Sequence, residues 1–414
     1  MKIIYLHQYF KKPTENGGTR SYDLATAFVK QGHQVEVVTT TSEKEDFNAG
    51  RWRVEMVDNV KVNYLYLPYD NSYSVLKRIT VFVLFLWHSF YKLRKIQADV
   101  VLATSTPLTI GIPALLKKWI DGTPYIFEVR DVWPEAVIAI GVVRNAFIKK
   151  LLYKLESMLY SNAEFVVPLS IDMQRSIQTR YPKLLGKTQT VVENISEIDR
   201  FRMASNRSDY LEKTIGFTPK TSILYAGTFG KVNKIEYVIE LAAELYKIDP
   251  SIVFLLMGSG AEKQNLIELA MDLKVFKKNV FFLEPVGKKD LPEIYNCVSM
   301  GSSFVAPIKE LWANSANKFF DTLAAGKPIL INHGGWQSNV ITENNIGYVL
   351  KPQVKDNNLV DFVSFVNNSE NLLATGERAR DFATENYSLP VAVQKYRKLF
   401  ELLCFKKKKQ SNVS

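Results

Sequence analysis

A chain of 414 residues, 47% hydrophobic and 23% charged, is expected to fold as two or three globular domains, each with its own core. Two cysteines, Cys297 and Cys404, exclude a disulfide framework and point to a reducing compartment; with four histidines, none in ligand spacing, they argue against a structural zinc site. The net charge of +11 suits solubility or an anionic partner, and with no nucleic-acid-binding signature in the sequence, nucleic acid ranks behind an anionic membrane surface.

The opening "MKIIYLHQYFKKP" turns polar too early for a signal peptide and predicts a first strand with His7 at its end. In "ENGGTR" (15–20), Gly17 and Gly18 let the backbone approach a ligand, and Thr19 is placed to cap the helix that Gly32 closes. A tight turn without ligand accounts for the glycines equally. The stretch is not G-x-G-x-x-G, and the second strand, "QVEVVTT", offers no acid for an adenine ribose. A nicotinamide enzyme is therefore disfavoured.

Residues 77–95, "KRITVFVLFLWHSFYKLRK", set an apolar aromatic run between basic flanks. The run is too short to span a bilayer, which takes about 20 apolar residues. "RNAFIKKLLYKLESMLY" (144–160) places Phe147, Ile148, Leu151, Leu152, Leu155 and Leu159 at helical spacing with Lys149, Lys150 and Lys154 between them. Each reads either as a basic amphipathic helix in a membrane interface or as a core helix. The tail "FKKKKQSNV" adds attraction to anionic lipid or is simply solvated.

Further short strands are predicted at 98–105, 124–130 and 163–170. "FEVRDVWPEA" (127–136) crowds Glu128, Arg130 and Asp131 at a strand's C-terminal end, where charges belong to a site or to an ion pair shaping a loop. A polar linker is expected over 194–220. The pattern then restarts with strands at 222–227 and 251–258, "NVFFLEPV" and "KPILIN". Strands alternating with helices mean parallel sheets covered on both faces, and two runs in tandem mean two doubly wound domains. Their ligands are expected at the C-terminal strand ends and in the cleft between the domains.

In the second half, "YAGTFGKVNK" (225–234) and "MGSGAEKQ" (257–264) follow strands, present glycines and start helices. Thr228, Gly258 and Gly260 are thus candidates around a phosphate, with Lys231, Lys234 and Lys318 as counter-charges. In "NSANKFFDTLAAGKPIL" (314–330), Asn314 or Ser315 is the expected N-cap and Gly326 the C-cap. The small first turn leaves free N–H groups whose partial positive charge suits a phosphate. An ordinary capped helix is the alternative.

In "YLHQYF…GGTRSYDLA", "VLATSTPL", "FEVRDVWPEA", "YAGTFG", "MGSGAEKQNL", "NKFFDTLAAGKPIL" and "NYSLPVAVQKYRKLF", the chain resembles the family-4 retaining glycosyltransferases of the GT-B fold. The likeness runs through nearly the whole chain, towards enzymes that transfer amino sugars or deoxysugars in capsule and O-antigen synthesis, such as the L-fucosamine transferases. The family's Glu-x7-Glu signature falls in this region, its second acid at Asp321 and its first replaced by an uncharged residue. The resemblance implies two Rossmann-like domains facing across a cleft: 1–200 on the acceptor side and 201–386 binding a nucleotide-sugar. A C-terminal helix (387–405) packing back on the first domain and a basic tail (406–414) would follow. It further implies a UDP-sugar whose diphosphate meets the amides of Ser315, Ala316, Asn317 and Lys318 and the Lys318 ammonium, with Asp321 on the ribose. Asp131, His7 and Glu128 would be the catalytic residues, Asp131 in the acceptor-side loop and His7 orienting the acceptor hydroxyl and the sugar. Transfer would proceed with retention, without metal or other cofactor, onto a polyprenyl-diphosphate-linked acceptor at the cytoplasmic face of the cell membrane. A catalytically silent partner subunit of the same fold, binding lipid or another transferase, is the alternative.

Overall fold

The computed structural model of the chain describes residues 1–44, 51–68, 73–202 and 209–411. Short apolar runs become strands buried on both faces, because amphipathic helices cover each side of the sheet they form. The first sheet uses β1 (Lys2–Leu6), β2 (Gln34–Thr41), β3 (Trp52–Val57), β4 (Val60–Tyr66), β5 (Val100–Thr104), β6 (Tyr125–Val129) and β7 (Phe165–Pro168). Their order is β3-β4-β2-β1-β5-β6-β7, parallel except for the β3–β4 hairpin. That hairpin turns at Asp58-Asn59, both with positive φ, as a two-residue turn between twisted strands requires. The second sheet uses β8 (Thr221–Ala226), β9 (Ile252–Met257), β10 (Val280–Leu283), β11 (Met300–Ser303), β12 (Ile329–Ile331) and β13 (Gly347–Val349). It is wholly parallel, in the order β10-β9-β8-β11-β12-β13.

The expected polar linker is instead largely buried at its start. Asn194, Ile195 and Ser196 are enclosed where the chain crosses between the sheets, and Tyr210–Ile215 is already helical. Residues 203–208 lie outside the described residues. After helix Ser369–Asn386 the chain returns in helix Leu389–Ser411, which continues past the expected end at 405. Its Ala392, Val393, Tyr396, Leu399, Phe400 and Leu403 join the core of the first sheet. Phe28 meets the rings of Tyr396 and Phe400 edge-on at 5.6 and 5.3 Å. Such aromatic contacts contribute about 0.5–1.5 kcal/mol beyond the area they bury.

Two surface helices carry apolar stripes. In Val75–Arg94, Leu76, Ile79, Val83, Trp87 and Tyr91 are exposed, while Val81, Phe85 and Leu93 are core. In Ala146–Asn162 the core takes only Glu156, Leu159 and Tyr160, leaving Phe147, Ile148 and Leu151 exposed. No helix among the described residues is long and apolar enough to cross a membrane.

Candidate active site

The C-terminal ends of both sheets face one cleft of about 660 Å³, lined from the first domain by His7, Gly17, Gly18, Arg130 and Asp131 and from the second by Ser315, Ala316 and Asn317. Gly301 on β11 makes the second wall possible. A Cβ there would collide with Thr322, so a side chain would push helix Asn317–Ala324 off the sheet. The N-cap is Ala316, not Asn314 or Ser315. Asn314 Oδ1 accepts the amide of Ala316 itself at 3.2 Å, two residues short of the N2 amide that a capping side chain reaches. Gly326, with φ +65°, ends the helix as expected of a left-handed glycine.

Across the cleft, Gly18 lies so close to Asn317 that a Cβ would sit 2.4 Å from its side-chain amide nitrogen. The requirement at Gly18 is therefore close approach between domains. Asn194 ties the wall down: its backbone amide donates to Ser315 Oγ at 3.3 Å and its side chain to the Ser315 carbonyl. The Asn194 Oδ1 oxygen is buried and without a hydrogen-bond partner among the described residues.

Lys318 occupies the floor behind this helix end. It is half-buried, its ammonium 4.8 Å from the centre of the Tyr225 ring and 3.3 Å from Asn233 Oδ1. Desolvation lowers its pKa to about 8, against the pull of Asp321. Gly227 lies against the Lys318 side chain, and a Cβ there would come 2.8 Å from Lys318 Cε. Thr228, Lys231 and Lys234 are exposed on the same loop, outside the cleft lining. The Thr228 carbonyl holds the loop by accepting Tyr225 Oη at 2.8 Å and Asn233 Nδ2 at 2.9 Å.

Gly258 and Gly260 serve packing between loops. Their Cβ positions fall 1.9 Å from the Gly227 carbonyl oxygen and 2.2 Å from that of Phe229. The reading of these two as ligand glycines is thus corrected: what approaches them is backbone.

Asp321 is buried beside Lys288, whose ammonium donates to Oδ1. Burial pushes the Asp321 carboxyl up, and Lys288 draws it part of the way back. Glu197 stands 3.6 Å from the same ammonium, and Arg200 joins Glu197 to Asp23 at 3.1 Å. Thr19 belongs to this network rather than to the cleft. It is the N-cap residue of helix Arg20–Lys30 without a side-chain cap bond, and its hydroxyl lies 2.7 Å from Asp23, 2.9 Å from Glu197 and 3.1 Å from Arg200.

On the first-domain wall, His7 is buried between Ser21 and Arg130. A guanidinium only donates, so Nε2 must accept from Arg130 at 3.2 Å and the proton sits on Nδ1, facing Ser21 Oγ at 2.8 Å. Burial and then the Arg130 charge hold the imidazole well below its ordinary pKa, so it is neutral. Asp131 lines the cleft with Thr106 Oγ1 donating to it at 2.5 Å.

Glu128 does not reach the cleft, and its place among the catalytic residues is corrected. It is fully buried in an ion pair with Arg20 and also accepts from Thr104 and Tyr396. Burial raises its carboxyl, but Arg20, Arg130 and the Thr104 hydrogen bond together outweigh burial and bring it down to about 2.

Sequence reasoning therefore brought His7, Gly17, Gly18, Asp131, Ser315, Ala316 and Asn317 to one cleft. Arg130, read from the sequence in one charged cluster with Glu128 and Asp131, lines the same cleft, whereas Asn194 and Lys288 were missed. A cation at the end of the β10 loop, in "VGKKD", was the only signal for Lys288.

Comparison with known proteins follows the same division. The model "Glycosyl transferase 4-like domain" matches residues 17–185, and "Glycosyl transferases group 1" matches 207–382. Spore coat protein SA of Bacillus subtilis is 23% identical over 52% of this chain and 59% of that protein. "Probable glycosyltransferase WbjE" of Pseudomonas aeruginosa is 23% identical over 80% of this chain and 81% of its own. Among solved structures, sucrose-phosphate synthase from Thermosynechococcus elongatus superimposes with a TM-score of 0.78 at 13% identity, covering 98% and 99% of the two chains. Anabaena HepE, in complex with UDP and glucose, gives 0.70 at 13% identity over 97% and 99%.

Proposed function

Since the chain belongs to the family-4 glycosyltransferases of the GT-B fold, we propose that it moves a sugar from a UDP-sugar, with retention, onto a polyprenyl-diphosphate-linked acceptor in capsule or O-antigen synthesis. The carrying observation is the bare end of helix Asn317–Ala324 in the cleft, directly across from Gly18. Unsatisfied amides at a helix N-terminus are a ready site for a diphosphate. Lys318 supplies the counter-charge from below, so the diphosphate needs no metal in this reading. Asp321, held on one oxygen by Lys288, offers the other to the ribose hydroxyls. HepE, solved with UDP and with UDP-glucose, supports a UDP-linked donor for a fold of this kind.

The acceptor hydroxyl approaches Asp131 and the His7–Arg130 pair. His7 Nε2 is already accepting from Arg130, so His7 serves to hold that guanidinium and not as a base. Asp131 orients the hydroxyl, and the leaving diphosphate takes its proton on the same face as it departs. Catalysis then rests on positioning and on charge stabilisation of the leaving group.

The exposed apolar stripe of helix Val75–Arg94, flanked by Lys77, Arg78, Lys92 and Arg94, lies on the cytoplasmic membrane face as a peripheral anchor. Phe85 is core and belongs to the fold rather than the anchor. The test of the reading is release of UDP from a panel of UDP-sugars by the purified chain. Slow hydrolysis of one sugar above the others is expected, and no release from any member would contradict it.

A further inference from the structure

We infer that residues 136–151 form an entry strip for the prenyl chain and diphosphate of the acceptor, running from the protein surface into the cleft; the inference rests on the transferase reading above. Ala136, Val137 and Ile140 line the cleft beside Asp131. Further along the chain Val142, Phe147 and Leu151 are all exposed, with Phe147 at 76%. In the helix Ala146–Asn162, Phe147 and Leu151 are four residues apart and share one face. A soluble surface without a partner rarely keeps such side chains together.

The charge along the strip has one sign. Between Glu135 and Glu156 the sequence contains Arg144, Lys149, Lys150 and Lys154 and no acid. The two flanking acids turn to the protein side, where Arg180 pairs with both, at 2.8 Å to Glu156. The exposed cations therefore face outward uncompensated by neighbouring acids of their own segment. Apolar length with clustered positive charge matches an amphiphile with an anionic head. Because the segment begins inside the cleft that holds Asp131, with Ala136, Val137 and Ile140 on its lining, its occupant is a single lipid-linked acceptor rather than a bilayer surface. A bilayer would need an apolar face ending at the surface, which helix Val75–Arg94 already provides.

The probes are farnesyl diphosphate and inorganic diphosphate, titrated calorimetrically into the full chain, with UDP titrated into the same preparations. Phe147→Ser with Leu151→Ser removes two exposed side chains and should weaken farnesyl diphosphate about tenfold or more while leaving inorganic diphosphate and UDP unchanged. Lys150→Glu with Lys154→Glu is the second variant, and should weaken both diphosphates without touching the apolar contacts. Farnesyl diphosphate bound equally by wild type and both variants would overturn the inference. So would phosphatidylglycerol vesicles losing their hold on the Phe147/Leu151 variant while farnesyl diphosphate never binds, which would make the strip a bilayer face. Loss of UDP binding by wild type, with the farnesyl diphosphate pattern as predicted, would instead remove the donor reading and leave the strip supported.

Discussion

Arg20 and Glu128 form an ion pair with both side chains withdrawn from solvent, Nη2 to Oε2 at 2.9 Å, linking the first helix to the end of β6. Arg20 also donates to the carbonyls of Val192, at 2.9 Å, and Glu193, and Tyr396 of the C-terminal helix donates to Glu128. One carboxylate thus fastens the first domain, the crossing segment and the returning helix together.

Removing Glu128 leaves a buried guanidinium without its counter-charge. Glu128→Ala should cost about 3–5 kcal/mol, seen as a large fall in melting temperature, while UDP affinity of the folded fraction is unchanged. Because the folded carboxyl lies at about 2, below its ordinary value, its stabilisation is complete above pH 4.5 and disappears as pH falls towards 2. Thermal melts of wild type should show that acid loss, and the Glu128→Gln variant should show less of it. An acid limb of equal size in both would count against the pair.

Lys318 sets a second pH dependence. Burial brings its ammonium to about 8, so the free protein loses this charge as pH rises through 8. A bound diphosphate favours the charged form and raises that value. UDP affinity should therefore be flat below pH 8 and fall above it, approaching about tenfold per pH unit until the pKa of the complex is reached. Proton uptake on binding at pH 9, measured calorimetrically in two buffers of different ionisation enthalpy, checks the sign.

Asp131 lines the cleft, and its carboxylate accepts from Thr106 Oγ1. Asp131→Asn keeps the shape and loses the charge, so turnover should fall on the order of a hundredfold with UDP affinity intact. Unchanged turnover, or lost nucleotide affinity, would remove it from the acceptor side.

Lys288 and Asp321 should behave as one unit. Asp321→Ala leaves the buried Lys288 ammonium with only the longer 3.6 Å contact to Glu197 and should destabilise by about 3 kcal/mol, whereas Lys288→Met combined with Asp321→Leu should recover part of that loss. On the ligand side, Asp321→Ala should weaken UDP about tenfold but leave 2′,3′-dideoxy-UDP unaffected. Equal weakening of both nucleotides would leave Asp321 a purely structural partner of Lys288.

The fold was legible because period and punctuation agree along most of the chain. Runs such as those of β1, β5, β8 and β9 are apolar throughout, and Gly32 and Gly326 stop helices where expected. The pairs that escaped reading are those made by weak local signals. β11 is Met-Gly-Ser-Ser, and Gly301 is there to admit Thr322, which no local pattern announces. The β3–β4 hairpin alternates apolar and polar residues around a turn of Asp and Asn rather than glycine. At the site, glycine loops were read alike from sequence. Only the fold separates Gly18, which faces the other domain, from Gly258, which faces a neighbouring carbonyl. Glu128 and Asp131 are three residues apart, yet one ends inside the sheet and the other in the cleft. Which of two nearby carboxylates is buried follows from Arg20, 108 residues earlier, and contacts at that separation leave no trace in spacing.

In the proposed reaction the end of helix Asn317–Ala324 and Lys318 seat the nucleotide diphosphate, and one calorimetric comparison tests this directly. UDP and uridine are titrated into wild type and Lys318→Gln at pH 7. UDP should bind wild type, lose about tenfold or more in the variant, and uridine should bind both equally weakly, since only the diphosphate meets the ammonium. UDP binding wild type no better than uridine, or binding both proteins alike, would contradict the account.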